Sequence, residues 1–134
     1  MSGPDRVMVC LSSGSPQAPA LLRKGARVAD RLNAPWYAVY IQTPGEEPER
    51  IPAALQRQLA NNLALAHQLG GVPMTFKGSD VVSTIAAFVK EYHITMIVVG
   101  RTQQPWYRRL FGQSVFDKLL YAVHGVDVLV ADNV

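Results

Sequence analysis

Short apolar runs alternate along the chain with longer stretches whose apolar residues recur every three or four positions, the period of one helix face. Arg6–Leu11 predicts a buried strand, closed by the turn Ser12-Ser13-Gly14-Ser15-Pro16. Gln17–Asn33 predicts a helix with Leu21, Gly25, Val28 and Leu32 inward and Arg23, Arg27 and Arg31 outward, stopped by Asn33-Ala34-Pro35, where Pro35 cannot continue the ladder. Trp36–Ile41, aromatic and β-branched, predicts a second strand. A polar loop, Thr43–Arg50, leads to Pro52 in a first helical turn, then a stripe of Leu55, Leu59, Leu63, Ala66 and Leu69 closed by Gly70-Gly71. Pro73–Lys77 is the least patterned strand. The next helix would be capped by Ser79 or Asp80 and would bury Val82, Ile85, Ala86 and Val89. Thr95–Val99 predicts a fourth strand, Ser114–Val123 a last helix, and Val126–Val130 a fifth strand. Strands alternating with helices this long require parallel pairing through crossovers. The pattern therefore predicts an α/β fold, a five-stranded parallel sheet with helices on both faces.

Composition narrows the function more than the fold. The 134 residues suit one domain, and 49% apolar with 17% charged residues suit a globular one. No apolar run is long enough for a membrane span, and the start Met1–Arg6 lacks the apolar core of a signal peptide. The single cysteine, Cys10, is expected in a buried strand and fits a reducing, cytoplasmic setting. A net charge of +3, with basic residues scattered, lacks the stripe of a nucleic-acid binder. His67, His93 and His124 have no metal-ligand spacing, and Glu46, Glu47 and Glu49 share one solvated loop. No catalytic constellation, P-loop or Gly-x-Gly-x-x-Gly is present, so neither a catalytic residue nor a metal site is assigned.

Two segments could bind a ligand. Ser13 and Ser15 flank Gly14 just after the first strand, where hydroxyls and backbone N–H groups can meet a phosphate or ribose; the same turn could simply cap the next helix. Gly100 ends the fourth strand and Arg101 opens a basic loop; Gly112-Gln113-Ser114 then starts the last helix, an arrangement suited to an anion. Between them, Trp106, Tyr107, Arg108 and Arg109 could stack on a base and pair with phosphate, or could anchor a partner protein.

Over residues 6 to 131 this plan resembles the universal stress protein family, a Rossmann-like fold of the adenine nucleotide alpha hydrolase type. Nucleotide-binding members carry Gly-x2-Gly-x9-Gly-Ser/Thr at this place. Gly100 and Ser114 keep that pattern, while Gln103 and Gln113 occupy glycine positions and Ser13 stands where an Asp follows the first strand. These departures put side chains where backbone should approach ATP closely. The chain also resembles the stress-protein-like domain of the KdpD family of potassium-sensing histidine kinases, in Ser13-Gly14-Ser15, Leu22–Ala29, Trp36–Tyr40 and Val126–Ala131. Some members bind cyclic di-AMP through Ser-x-Ser, twenty residues, then Phe-Thr-Ala-x-Tyr. Ser13, Ser15, Ala38 and Tyr40 fit, with Trp36 in place of Phe and Tyr37 in place of Thr, a ring that could close or retune the site.

The resemblance implies a non-catalytic cytoplasmic regulatory domain, residues 1–134, excised from a longer inner-membrane sensor kinase. It would require no cofactor, could bind ATP or cyclic di-AMP, and would touch the membrane only through its parent. Its partners would be the parent's other domains and, in one arrangement, a second copy. The alternatives are a stand-alone ATP-binding stress protein and a docking module with a vestigial pocket.

Overall fold

The computed structural model describes residues 4–11, 17–42, 51–79, 81–100 and 125–131. In chain order these form β1 (Val7–Leu11), α1 (Ala18–Arg31), β2 (Trp36–Gln42), α2 (Ala53–Gln68), β3 (Val72–Lys77), α3 (Val81–Tyr92), β4 (Met96–Gly100) and β5 (Asp127–Ala131). The strands make one sheet in the order β3-β2-β1-β4-β5, with every neighbouring pair parallel. The expected helix Ser114–Val123 lies outside the described residues, as does the Asp80 cap.

Strand alternation splits the core into two layers. Val7, Val9, Leu11, Trp36, Ala38, Tyr40 and Val98 face α1 and α2. Met8, Cys10, Val39, Ile41, Ile97 and Val99 face the side covered by Ile85, Phe88 and Val89 of α3. β1 is buried along its whole length, which explains its unbroken apolar run. β3 is an edge strand of half-buried and exposed residues. Its weak pattern follows from that position, which also tolerates Pro73.

The α1 face differs from the sequence expectation. Ala18, Leu21, Leu22, Gly25 and Ala29 are buried, Val28 is half-buried and Leu32 is exposed. The helix packs against the sheet and against α2 together, so its buried arc is wider than the Leu21–Leu32 stripe and turned from it. The helix ends within the expected Asn33-Ala34-Pro35 stop, and its closing bonds come before Pro35. Asn33 takes a left-handed conformation (φ 52°), and the N–H groups of Asn33 and Ala34 bond to the carbonyls of Asp30 and Ala29. The same pair of bonds recurs at Gly70-Gly71, and after α3 the Ile94 N–H bonds to the Val89 carbonyl past a left-handed His93 (φ 55°). His93 therefore has a backbone role, the left-handed residue after α3.

One end of the sheet is laced across its strands. Val7 N–H donates to the Pro35 carbonyl (3.1 Å), Thr95 N–H to Arg6 (2.9 Å) and Asp127 N–H to Thr95 (3.0 Å). The Thr95 hydroxyl accepts from Arg6 N–H (3.0 Å) and donates to Asp5 Oδ1 (2.9 Å). Backbone polar groups at this amino end are thus spent on one another. In open α/β sheets the opposite, carboxyl end is the one that forms ligand crevices.

Candidate functional site

The sheet grows outward from β1 through β2 to β3, then restarts on the other side of β1 with β4. Connections therefore diverge between β1 and β4, the place where open α/β sheets form a crevice at their carboxyl ends. The β1–β4 register runs from Val7–Met96 to Val9–Val98, and both strands continue two residues beyond it, to Leu11 and Gly100, on the same edge of the sheet. The segments that hold Ser13 and Ser15 and that open with Arg101 begin in sequence from these strand ends.

Gly100 is half-buried at this edge. A Cβ there would come 3.4 Å from Leu21 of α1, an ordinary contact, so packing alone does not require glycine. The N-cap residue of α1 is Gln17, whose side chain makes no capping hydrogen bond, and no acidic residue lies in the first turn. Residues 12–16, which hold Ser13 and Ser15, precede the helix and lie outside the described residues. The positive end of its dipole carries no carboxylate of its own.

Tyr40 is buried on the α1/α2 face and stands in register with Leu11. Its side chain helps line a cavity of about 250 Å³ between α2 and the carboxyl ends of β2 and β3. Ile51, Leu59, Ala60 and Leu63 form the apolar wall. Gln42, Gln56 and Thr75 add amides and a hydroxyl. Gln56 Nε2 donates to the Ile51 carbonyl (2.9 Å), which fixes that carboxamide at the start of α2. The leucine stripe of α2 is only half-buried, because the helix overlies the edge strand and leaves this space beneath it. Sequence reasoning missed Gln42, Gln56 and Thr75; the one signal was a glutamine ending an otherwise apolar strand.

Neither departure from the Phe-Thr-Ala-x-Tyr pattern obstructs this region. Tyr37 points to the other face of the sheet, where its ring meets Phe88 edge-on at 5.6 Å and lies 5.4 Å from Tyr92. Trp36 shares the face of Tyr40 but sits four residues earlier, roughly 13 Å along the strand, packed against Gly71. The ring that could have closed the site belongs to the α3 core.

Ser13, Ser15, Arg101, Gly112, Gln113 and Ser114 lie outside the described residues, and so do Trp106, Tyr107, Arg108 and Arg109. Of the expected binding residues, the structure describes Tyr40 and Gly100. Among the described residues no three His, Cys, Asp or Glu side chains gather to hold a metal, and no helix is long and apolar enough to cross a membrane. Cys10 is buried on the α3 face, away from Tyr40, and burial pushes its thiol up to about 12. A thiol kept protonated in an apolar layer is a packing group rather than a nucleophile. What the described residues offer is an apolar cavity with amide and hydroxyl groups in its wall.

Comparison with known proteins agrees with this architecture. A profile of the Universal stress protein family matches residues 4–131. The sensor protein KdpD of Escherichia coli (strain K12) is 30% identical over 129 residues, which are 95% of this chain and 14% of that protein. The chain thus spans about one seventh of that relative. Among solved structures, a universal stress protein in complex with cAMP superposes with a TM-score of 0.65 at 18% identity, covering 99% of this chain and 100% of that one. A universal stress protein from Archaeoglobus fulgidus in complex with dAMP gives 0.60 at 19% identity, covering 94% and 96%. At these identities the likeness establishes the fold.

Proposed function

Because the chain belongs to the universal stress protein family, we propose that it is a non-catalytic regulatory domain that binds a nucleotide at the carboxyl edge of its sheet, within a KdpD-type sensor kinase. The observation that carries this reading is the divergence of the chain between the neighbouring parallel strands β1 and β4, whose carboxyl ends, Leu11 and Gly100, are where both candidate anion-binding segments start. The similarity to KdpD over nearly the whole chain, at a small fraction of that protein's length, supports a domain within a larger sensor. The cAMP and dAMP complexes of two proteins of the same fold support a nucleotide as the ligand class.

In this reading Ser13 and Ser15 donate to phosphate or ribose, Arg101 and the Gln113-Ser114 backbone hold anionic oxygens, and Tyr40 packs beside them. The Trp106–Arg109 segment is the contact to a neighbouring domain of the parent. A ligand alters output only through unequal affinity for two conformations. The domain would therefore bias kinase against phosphatase activity by favouring one arrangement of its neighbours, and so govern potassium-transport genes.

Calorimetry of the chain with cyclic di-AMP and with ATP tests this. We expect binding of cyclic di-AMP and a weaker or absent response to ATP, because Gln103 and Gln113 replace glycines of the ATP pattern. Ser15→Ala should weaken binding by about 0.5–1.5 kcal/mol, one hydrogen bond. No heat with either nucleotide would overturn the nucleotide reading and leave the docking role of Trp106–Arg109.

A further inference from the structure

We propose that α2 is a hinged lid, anchored to the sheet at its C-terminal end and lightly held over its N-terminal half, with buried Asn62 keeping the closed position close in energy to an open one. The inference stands on packing and does not depend on the nucleotide reading.

The two ends of the helix differ in what holds them. At the C-terminal end, Ala66 is fully buried in the layer shared with α1 and the sheet. The chain then folds back, and the Gly71 N–H bonds to the Ala66 carbonyl (2.9 Å). Gly71 lies against the indole of Trp36, where an added Cβ would stand 2.6 Å from the ring. Trp36 is itself buried at the start of β2. Residues 66 to 71 are therefore pinned to the sheet. Toward the other end, Gln56, Leu59, Ala60 and Leu63 border the cavity of about 250 Å³. Side chains that face a void forgo the dispersion contacts that packed neighbours supply. The N-cap residue is Pro52, with no capping side chain, and the first turn holds no acid to meet the helix dipole.

Asn62 supplies the chemistry of the balance. It is 6% exposed and sits one helical turn before Ala66, on the same face. Among the described residues its carboxamide has no hydrogen-bond partner. A buried amide whose two N–H donors and acceptor oxygen are unmet opposes the packing that buries it. Swinging the N-terminal half of α2 outward would carry Asn62 to water. Leu59 and Leu63, half-buried and already facing the cavity, would lose less than fully packed side chains do. Gain and loss thus oppose each other, the condition for an element with two positions. A molecule that fills the cavity adds contacts that the closed position lacks, and so draws the lid shut.

Spin-label distances test this. Ala54 near the free end, His67 near the anchored end and Asp30 on α1 are all exposed. α1 is a fixed reference because Gly25 seats it on Val9 of β1. The pairs Ala54→Cys with Asp30→Cys and His67→Cys with Asp30→Cys carry the labels, and Cys10 is buried out of their reach. We expect a broad or two-peaked distribution for the Ala54 pair and one narrow peak for the His67 pair. Asn62→Leu should collapse the first to one narrow peak, leave the second unchanged and raise the melting temperature by several degrees. Asn62→Ala, which removes the amide without adding volume, should narrow the same pair. Equally narrow distributions for both pairs in the wild type would overturn the lid. A broad Ala54 distribution that neither Asn62 variant narrows would overturn the part given to Asn62.

Discussion

Cys10 shows how one residue's surroundings decide its chemistry. It lies in the fully buried first strand on the α3 face, and desolvation raises its thiol from 9.0 to about 12. Between those values an unfolded chain releases a proton that the native chain keeps. This contribution is therefore fully present below about pH 9 and is lost as pH rises toward 12, at about 1.4 kcal/mol per pH unit. Denaturant unfolding at about pH 8 and pH 10.5 should show a steeper loss for the wild type than for Cys10→Val; parallel losses would contradict the burial argument. Tyr37 makes the complementary point. In a sequence pattern it adjoins Trp36 and Ala38, but the two-residue period of a strand turns it toward Phe88 and Tyr92. Residue identity was legible from the sequence there; the consequence for the ligand was not, because it depends on which face each position takes.

At the scale of elements, α1 docks on β1 through Gly25, where an added Cβ would collide with Cγ2 of Val9. Gly25→Ala should destabilise the fold by about 1–3 kcal/mol, the usual cost of overpacking, read as a lower denaturant midpoint with an unchanged slope. A neutral effect would mean that α1 can ride away from the sheet. Gly25 stood inside the predicted helical stripe, so its inward direction was readable. The arc around it was not, since contact with α2 draws Leu22 and Ala29 inward and leaves Leu32 exposed. Phe88 escaped the α3 stripe for a similar reason: besides Tyr92 one turn on, its ring meets Tyr37 and Phe76, which lie on the strands β2 and β3. Asn62 and Ala66 are the buried residues of α2, and a buried asparagine cannot be found by hydrophobic pattern. Strand identities, by contrast, came through nearly intact, because β1 and β4 are central and buried, and such strands are written as unbroken apolar runs.

For the whole molecule, alternation of strand and helix was enough to specify a parallel sheet with helices on both faces. The order β3-β2-β1-β4-β5 was not written in any local pattern, and it is what pairs Val9 with Val98 and brings the ends of β1 and β4 to one edge, nearly ninety residues apart in the chain. Of the candidate site, the strand-end residues Tyr40 and Gly100 were legible, since a ligand pattern and a glycine mark them. The cavity under α2 was not, because it arises from a helix lying over an edge strand. The account as a whole claims that a nucleotide engages the carboxyl edge and leaves the laced amino edge alone. Backbone amide NMR of the labelled chain during titration with cyclic di-AMP tests that most directly. We predict shifts concentrated at Leu11, Tyr40, Gly100 and the amides of residues 12–15, with Val7, Thr95 and Asp127 still. Shifts centred on Val7, Thr95 and Asp127, or none at saturating ligand, would contradict it.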